Sequence, residues 1–535
     1  MDDDAKECQY EDPTFFKSVR NYFREYCQCT SIHGFRYFGE KRSYIERAWW
    51  FIVFSLVLAG CVIAIREVYE KWIRSPVIVS FATKETPIYS IPFPAVTICP
   101  ESKTSQALYN HTAMFRKKLM MEELTKEEQR ISDYMGLICT NDGYEDSDVY
   151  YFSDDFYNTI DEFKCTFPFF YCAYMRKVVD CSELFIPVIT DEGICYTFNM
   201  LDRTEIYRDR VVQHSDFLSM GNTSANEWNL DDGYGPDIGL DAYPRRALLA
   251  GADNSLTIFL LSNRSDLDYT CKGALQGFRV TLHTPMRIPR PSQQYFRVPL
   301  NQEVLAAIRP DMILTSTSVK MYNPKKRECY FPQEKTLKYF KIYTSMNCKL
   351  ECLTNYTLYY CGCVNYFMPR DNDTYLCGIG AAECMKEAAE TLQIRDLHRE
   401  IDKPRVNKTK GGDFEDGYFP DCDCMPICTD LTYHAEITQS DWPWQEFIKA
   451  RTVNDTMAED EVNLSRLTLY FKSSRFITSQ RHELYGPTDF LANFGGLLGL
   501  FTGFSILSLM EAIYFLTVRI CCNTRLYGYW AGPAK

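Results

Sequence analysis

Two apolar runs, one near each end, limit what this chain can fold into. Residues 48–65 (AWWFIVFSLVLAGCVIAI) carry no charge, and residues 490–518 (FLANFGGLLGLFTGFSILSLMEAIYFLTV) carry one, Glu511. A bilayer core about 30 Å thick takes roughly 20 helical residues. Trp49 and Trp50 suit the aromatic belt at the membrane surface. Transmembrane helices are therefore expected at 48–70 and 489–518. Residues 1–47 and 519–535 would form cytoplasmic ends around an extracellular domain at 71–488. The first 47 residues hold no apolar stretch after a basic start, so the first span is expected to act as signal anchor.

Local charge does not orient the first span. Arg36, Lys41, Arg42 and Arg47 precede it, while Arg66, Lys71 and Arg74 follow. Glycosylation triplets are more informative. Asn110, Asn222, Asn263, Asn355, Asn372, Asn407, Asn454 and Asn463 each begin one, and all lie between the spans. So do 17 of the 23 cysteines, from Cys99 to Cys428, a density suited to an oxidising compartment. Both signals place the middle of the chain outside and both termini in the cytosol. The net charge of −13 argues against nucleic-acid binding and suits a surface that tolerates cations.

Within the exterior, 77–98, 195–199 and 278–283 read as strands, with Pro92 and Pro94 marking an irregular one. Strands this far apart suggest one mixed sheet with insertions. Residues 103–137 read as helical. The acidic, aromatic stretch 142–157 reads as a solvated loop or contact surface rather than a ligand site.

The cysteine-rich block allows geometry. Cys348 and Cys352, four apart on a helix, share a face about 6 Å apart. Cys422 and Cys424, two apart on a strand, share a face at about 6.7 Å. A helix and an antiparallel strand could thus be stapled as Cys348–Cys424 and Cys352–Cys422. Cys361 and Cys363 form another alternate pair, with Cys377 and Cys384 as partners, and Cys329–Cys428 would close the block. A zinc cluster competes weakly, because structural zinc favours reducing compartments. Neither a catalytic motif nor a phosphate loop is present, and the seven histidines are scattered. No catalytic residue, metal site or cofactor is expected, and the chain is not read as an enzyme.

The second apolar run has the features of a pore wall. Gly495, Gly499 and Gly503 line one helical face and permit close backbone approach. Gly503-Phe504-Ser505 could offer carbonyls and a hydroxyl to a dehydrating cation, and Ser508 adds a second hydroxyl. An intramembrane carboxylate such as Glu511 normally faces a wet cavity. One such helix cannot enclose a pore, so the chain must oligomerise.

These residues resemble the degenerin/epithelial sodium channel superfamily, the amiloride-sensitive sodium channels, and within it the pickpocket branch. The resemblance runs from Ile32-His33-Gly34 through FPAVTIC (93–99), CYTFN (195–199) and the block at 343–370 to FGGLLGLFTGFSILSLME (494–511). It covers nearly the whole chain. It implies an α+β membrane protein and a trimeric channel in the plasma membrane. Its two transmembrane helices would flank a disulfide-rich extracellular domain. That domain would hold a central β-sheet (palm and β-ball), a helical finger at about 103–180 and a cysteine-rich thumb at about 329–428. Sodium would be the permeant ion. Partners would be the bilayer and identical or related subunits, in a homotrimer or heterotrimer, with an extracellular ligand or other stimulus opening the pore.

By the same resemblance, Gly503, Phe504 and Ser505 match the selectivity tract. His33 and Gly34 match a gating motif, and Ala492 matches the position where bulky side chains hold the pore open. Asn493 stands where acid-sensing members carry Asp, and NPKKREC before Cys329 lacks their Trp, so proton gating is not implied. The resemblance also implies the pairs Cys99–Cys195 and Cys165–Cys172. Among the remaining cysteines Cys139–Cys181 is expected, leaving Cys271 free or paired between chains. The function expected is a stimulus-gated sodium channel subunit. The alternative is an accessory or receptor subunit that conducts only beside a relative.

Overall fold

The computed structural model describes residues 15–74, 77–139, 148–212, 214, 216–219, 228–236, 238–239, 242–402, 422–451, 461–484 and 486–532. The chain divides into two compact units, 79–481 and 1–78 with 482–535.

Two sheets organise residues 79–481. The long strand Gln302–Thr315 pairs antiparallel with Asp430–Asp441 and parallel with Val462–Phe471. Val462–Phe471 runs antiparallel to Leu256–Asn263, which in turn pairs with Phe169–Tyr174. Period-two alternation places these strands. Leu256, Ile258 and Leu260 are fully buried, while the residues between them are half-buried. Pro310 falls between the parallel partners, which end at Ile308 and resume at Ile313. A residue without an N–H is tolerated where the ladder is open.

The second sheet is antiparallel. Its order is Phe296–Val298, Phe278–His283, Ala95–Pro100, Gly193–Phe198, Phe185–Thr190. The run Ala95 to Cys99 is buried at every position. The expected strands at 195–199 and 278–283, and the end of 77–98, fall here. Sequence therefore suggested one mixed sheet where the described residues form a mixed and an antiparallel one, with three two-stranded ribbons beside them. Their shared core is aromatic: Phe93 meets Phe471 edge-on at 5.4 Å and Phe198 at 6.1 Å.

Helices fill the excursions. His111–Leu119 starts at Asn110, whose side chain accepts from the Ala113 N–H at 2.8 Å. Lys126–Cys139 follows. A third helix, Phe156–Phe163, begins inside the stretch read as a loop; residues 142–147 of that stretch lie outside the described residues. Ser345–Cys361 runs from the Thr344 cap to Gly362, which takes the left-handed conformation (φ 72°) that suits glycine.

Disulfides fix the helix Ser345–Cys361 to the segments around it. Cys348–Cys424 and Cys352–Cys422 hold Cα atoms 5.6 and 5.7 Å apart, although Cys422 and Cys424 lie outside any strand. Cys361 bonds Cys384, Cys363 bonds Cys377, and Cys329 bonds Cys428. With their sulfurs in disulfides, these cysteines have no thiolates to offer zinc. Cys99–Cys195 joins neighbouring strands of the antiparallel sheet.

Three expectations are corrected. Cys172 bonds Cys181, not Cys165, and Cys139 bonds Cys271, which is therefore not free. The strand Phe169–Tyr174 turns back through Lys177–Val178, returning the chain to Cys172 at Cys181. Cys139 ends its helix with its Cα 4.8 Å from that of Cys271. Cys165 remains a thiol that donates to the Ser102 carbonyl at 3.4 Å.

The glycosylation candidates also separate. Asn110 and Asn372 are exposed, and Asn263 and Asn355 half-buried. Asn463 is 4% exposed and accepts from Asn301 at 3.0 Å, so no glycan can sit on it in the folded chain. Asn222, Asn407 and Asn454 lie outside the described residues.

Two measurements check this arrangement. Burial, and then the nearby Asp266 carboxylate, push the Cys165 thiol up to about 12. Cys165 should therefore alkylate only after denaturation, and non-reducing peptide mapping should recover Cys172–Cys181 and Cys139–Cys271. Burial also drives His283 down to about 4, where it sits between Thr97 Oγ1 at 2.8 Å and the Thr284 carbonyl at 3.0 Å. An unfolded histidine titrates near 6.5. The unfolded chain thus binds more protons, and stability falls as pH drops from about 6.5 towards about 4. Between pH 7 and 4.5 the wild-type Tm should fall further than that of His283→Gln.

Candidate functional site

Tyr44–Arg74 is one helix of 31 residues, about 46 Å long at 1.5 Å per residue. It is uniformly apolar along its middle and is long and apolar enough to cross a membrane. The second apolar run is not continuous. Pro487–Thr502 ends at Gly503, Ile506–Leu516 begins after Ser505, and Val518–Tyr527 follows a further kink at Thr517. Ile506–Tyr527 also has the length and hydropathy to cross. Gly60 of the first helix lets the Phe501 ring approach to 3.3 Å of where a Cβ would stand. Trp72 stacks on Phe490 at 4.9 Å.

The break at 503–505 has clear local causes. Gly503 takes φ 68°, and its N–H closes on the Gly499 carbonyl at 2.9 Å. Ser505 then caps the next helix. Its side chain accepts from the Ser508 N–H at 3.2 Å, while the Ser508 hydroxyl accepts from the Ser505 N–H at 3.1 Å. A helix that stops leaves its last carbonyls without intrahelical partners. One of them, on Thr502, accepts from the His33 N–H at 2.9 Å.

The segment before the first helix is seated at this break. A Cβ on Gly503 would lie 2.8 Å from the His33 ring, so only glycine fits both the backbone angle and the contact. Ser31 Oγ meets Ser508 Oγ at 2.7 Å. The Ser31 N–H and hydroxyl both reach Glu511 Oε2 at 3.3 Å. Gly34 makes the turn at φ 87°. The helix Phe15–Cys29 locks the arrangement below. Tyr22 donates to the Phe515 carbonyl at 2.5 Å, Glu25 pairs with Arg519, and Tyr529 donates to Ser18 at 2.8 Å.

His33, Gly503, Ser505, Ser508 and Glu511 are thus gathered at one place, through Ser31. Phe504 is half-buried beside them, and Ser505 is exposed. Ala492 and Asn493 are not there. They lie exposed about 16 Å up the same helix, where Asn493 donates to the Asp489 carbonyl at 3.0 Å. A Cβ on Gly495 would meet nothing within 4 Å, and one on Gly499 only the Phe504 carbonyl at 4.0 Å. This chain's own first helix does not pack that stripe. Sequence reasoning missed Ser31, Tyr22 and Glu25. Their partners lie more than 470 residues away, and the one local signal was Ser31 standing directly before Ile32-His33-Gly34.

An opened helix of this kind presents carbonyl dipoles and hydroxyls that can replace part of a cation's water, with a carboxylate nearby to attract it. A direct check is the double variant Ser31→Cys/Ser508→Cys. Mild oxidation should join the two introduced cysteines, read as a cross-linked peptide on non-reducing digestion. Ser31→Cys/Leu500→Cys should stay unlinked.

A family model described as amiloride-sensitive sodium channel matches residues 26–515. The chain is 30% identical to pickpocket protein 28 of Drosophila melanogaster over 94% of this chain and 79% of that one. It is 21% identical to the sodium channel protein Nach of Drosophila melanogaster, over 96% and 90%. It is also 21% identical to the human bile acid-sensitive ion channel, over 93% and 86%.

Proposed function

The chain belongs to the amiloride-sensitive sodium channel family, and from that premise we propose that it is a pore-forming subunit of a sodium-selective, amiloride-blocked channel opened by an extracellular stimulus. The observation that carries this reading is the interruption of the second apolar run at Gly503–Ser505, with His33 seated on it. Gly503, Phe504 and Ser505 would form the selectivity tract. Glu511 and Ser508 would attract and pass cations. His33, Gly34, Ala492 and Asn493 would govern opening. Gly495 and Gly499, bare within this chain, would let the second helices of three subunits approach one another. Both termini would be cytoplasmic, and residues 71–488 would receive the stimulus.

The test is Ala492→Phe, expressed alone and recorded in whole cells with and without sodium and amiloride. Ala492 is exposed on its own chain, so a bulky ring there should act on neighbouring subunits rather than on folding. The expected result is a constitutive inward sodium current, blocked by amiloride and absent from the wild type. A surface-expressed but silent variant that conducts only with a related subunit would turn the reading to an obligate heteromer.

A further inference from the structure

A cavity of about 210 Å³ lies in residues 79–481, beside the helix Phe156–Phe163. Its lining comes from stretches far apart in sequence: that helix, the strand Phe185–Thr190, Tyr207 with Val211 to Leu218 among the described residues there, and the turn at 366–370. Val211, Phe217, Leu218, Tyr366 and Met368 form buried walls. An apolar cavity of about 150 Å³ takes a benzene ring, and drug-sized sites run to about 300–1,000 Å³. The space therefore suits one ring or a short alkyl chain.

Arg370 gives this partly apolar space a charge. Its side chain is 5% exposed, donates to the Thr374 carbonyl at 3.0 Å, and pairs with Asp154. The Asp154 side chain is 81% exposed. A buried guanidinium needs a countercharge, yet here the countercharge stands in solvent and can swing away without disturbing the core. A carboxylate entering on an apolar body would keep the charge balance, and a guanidinium can hold it through two parallel hydrogen bonds. His214 stands on the same lining, with Nε2 2.8 Å from Asn158 Oδ1, so its ring is oriented. Its Nδ1, buried and 3.8 Å from Asp216, has no hydrogen-bond partner among the described residues. Aromatic walls alone could also cage an organic cation, but the buried Arg370 repels one.

We propose that this cavity is a binding site for a small monocarboxylate with an apolar body, whose carboxylate displaces Asp154 from Arg370. The same chemistry is offered by a free organic acid and by the C-terminal residue of a peptide. The proposal is independent of the pore reading, because binding is read without current.

The test uses the full chain in lipid nanodiscs and three probes with one body: 3-phenylpropionate, 3-phenylpropanol and 2-phenylethylamine. Saturation-transfer NMR and titration calorimetry report binding. The expected result is saturable binding of the carboxylate, at least tenfold tighter than the amine. Asp154→Asn should tighten the carboxylate several-fold, because it removes the competitor from an exposed position. Arg370→Gln should weaken it at least tenfold and leave the alcohol unchanged, and Val211→Trp should abolish both by filling the space. A C-terminal Phe dipeptide that competes equally would point to a peptide source, and one that fails to compete to a free acid. No saturable binding by about 10 mM, a binding free energy weaker than about −2.7 kcal/mol, would overturn the proposal. So would equal affinity for carboxylate and amine, or indifference to Asp154→Asn.

Discussion

Inside a bilayer an interrupted helix has no water to satisfy its backbone, so the break at Gly503–Ser505 must be stabilised by protein or by a wet cavity. This chain supplies part of that from the far end of its sequence. The His33 N–H takes the Thr502 carbonyl, the His33 ring occupies the space a Cβ at Gly503 would fill, and Ser31 bridges Ser508 and Glu511. Each contact is small, and hydrogen bonds of this kind contribute about 1 kcal/mol net. Together they couple the N-terminal segment to the interruption at Gly503–Ser505 in the second apolar run. Whatever moves that segment must also alter the break.

Residues 79–481 address a different constraint, which is holding many long excursions on a modest sheet framework. The strand Gln302–Thr315 takes partners that begin more than 100 residues further on. Disulfides then fix the helices that leave the sheets. Five of the eight among the described residues lie between Cys329 and Cys428. A bridge closing such a loop removes a few kcal/mol of unfolded-state freedom, and it also keeps a helix from shifting against its neighbour. The cavity beside Phe156–Phe163 forms where several of these excursions meet.

What could be read from sequence follows how locally each feature is determined. Two membrane-length apolar helices near the ends were legible because about 20 apolar residues in a row satisfy few other folds, but the second, expected over 489–518, is broken at Gly503 and is long enough only over Ile506–Tyr527. Cys348–Cys424 and Cys352–Cys422 were legible because cysteines four apart on a helix share a face, even though the expected strand at Cys422 and Cys424 did not form. Cys165, Cys172, Cys181, Cys139 and Cys271 were not, since their partners depend on where a hairpin turns and a helix ends. Asn463 carries a valid triplet, but burial in a sheet is invisible to a three-residue motif. The break at Gly503 could be suspected from its residues, but its seating by Ser31 and His33 joins segments some 470 residues apart. The cavity was illegible for the same reason: Arg370 and Asp154 are 216 residues apart.

On the proposed function, the interrupted segment Gly503–Ser505 lines the cation path. The measurement closest to it is cadmium block of Ser505→Cys, recorded from cells expressing the variant with and without a related subunit. Ser505 is exposed and sits at the start of a helix, so a thiolate there would bind the ion wherever the path admits it. The account expects reversible block at micromolar cadmium that is absent from the wild type. A Ser505→Cys current that is indifferent to cadmium from either side of the membrane would contradict it.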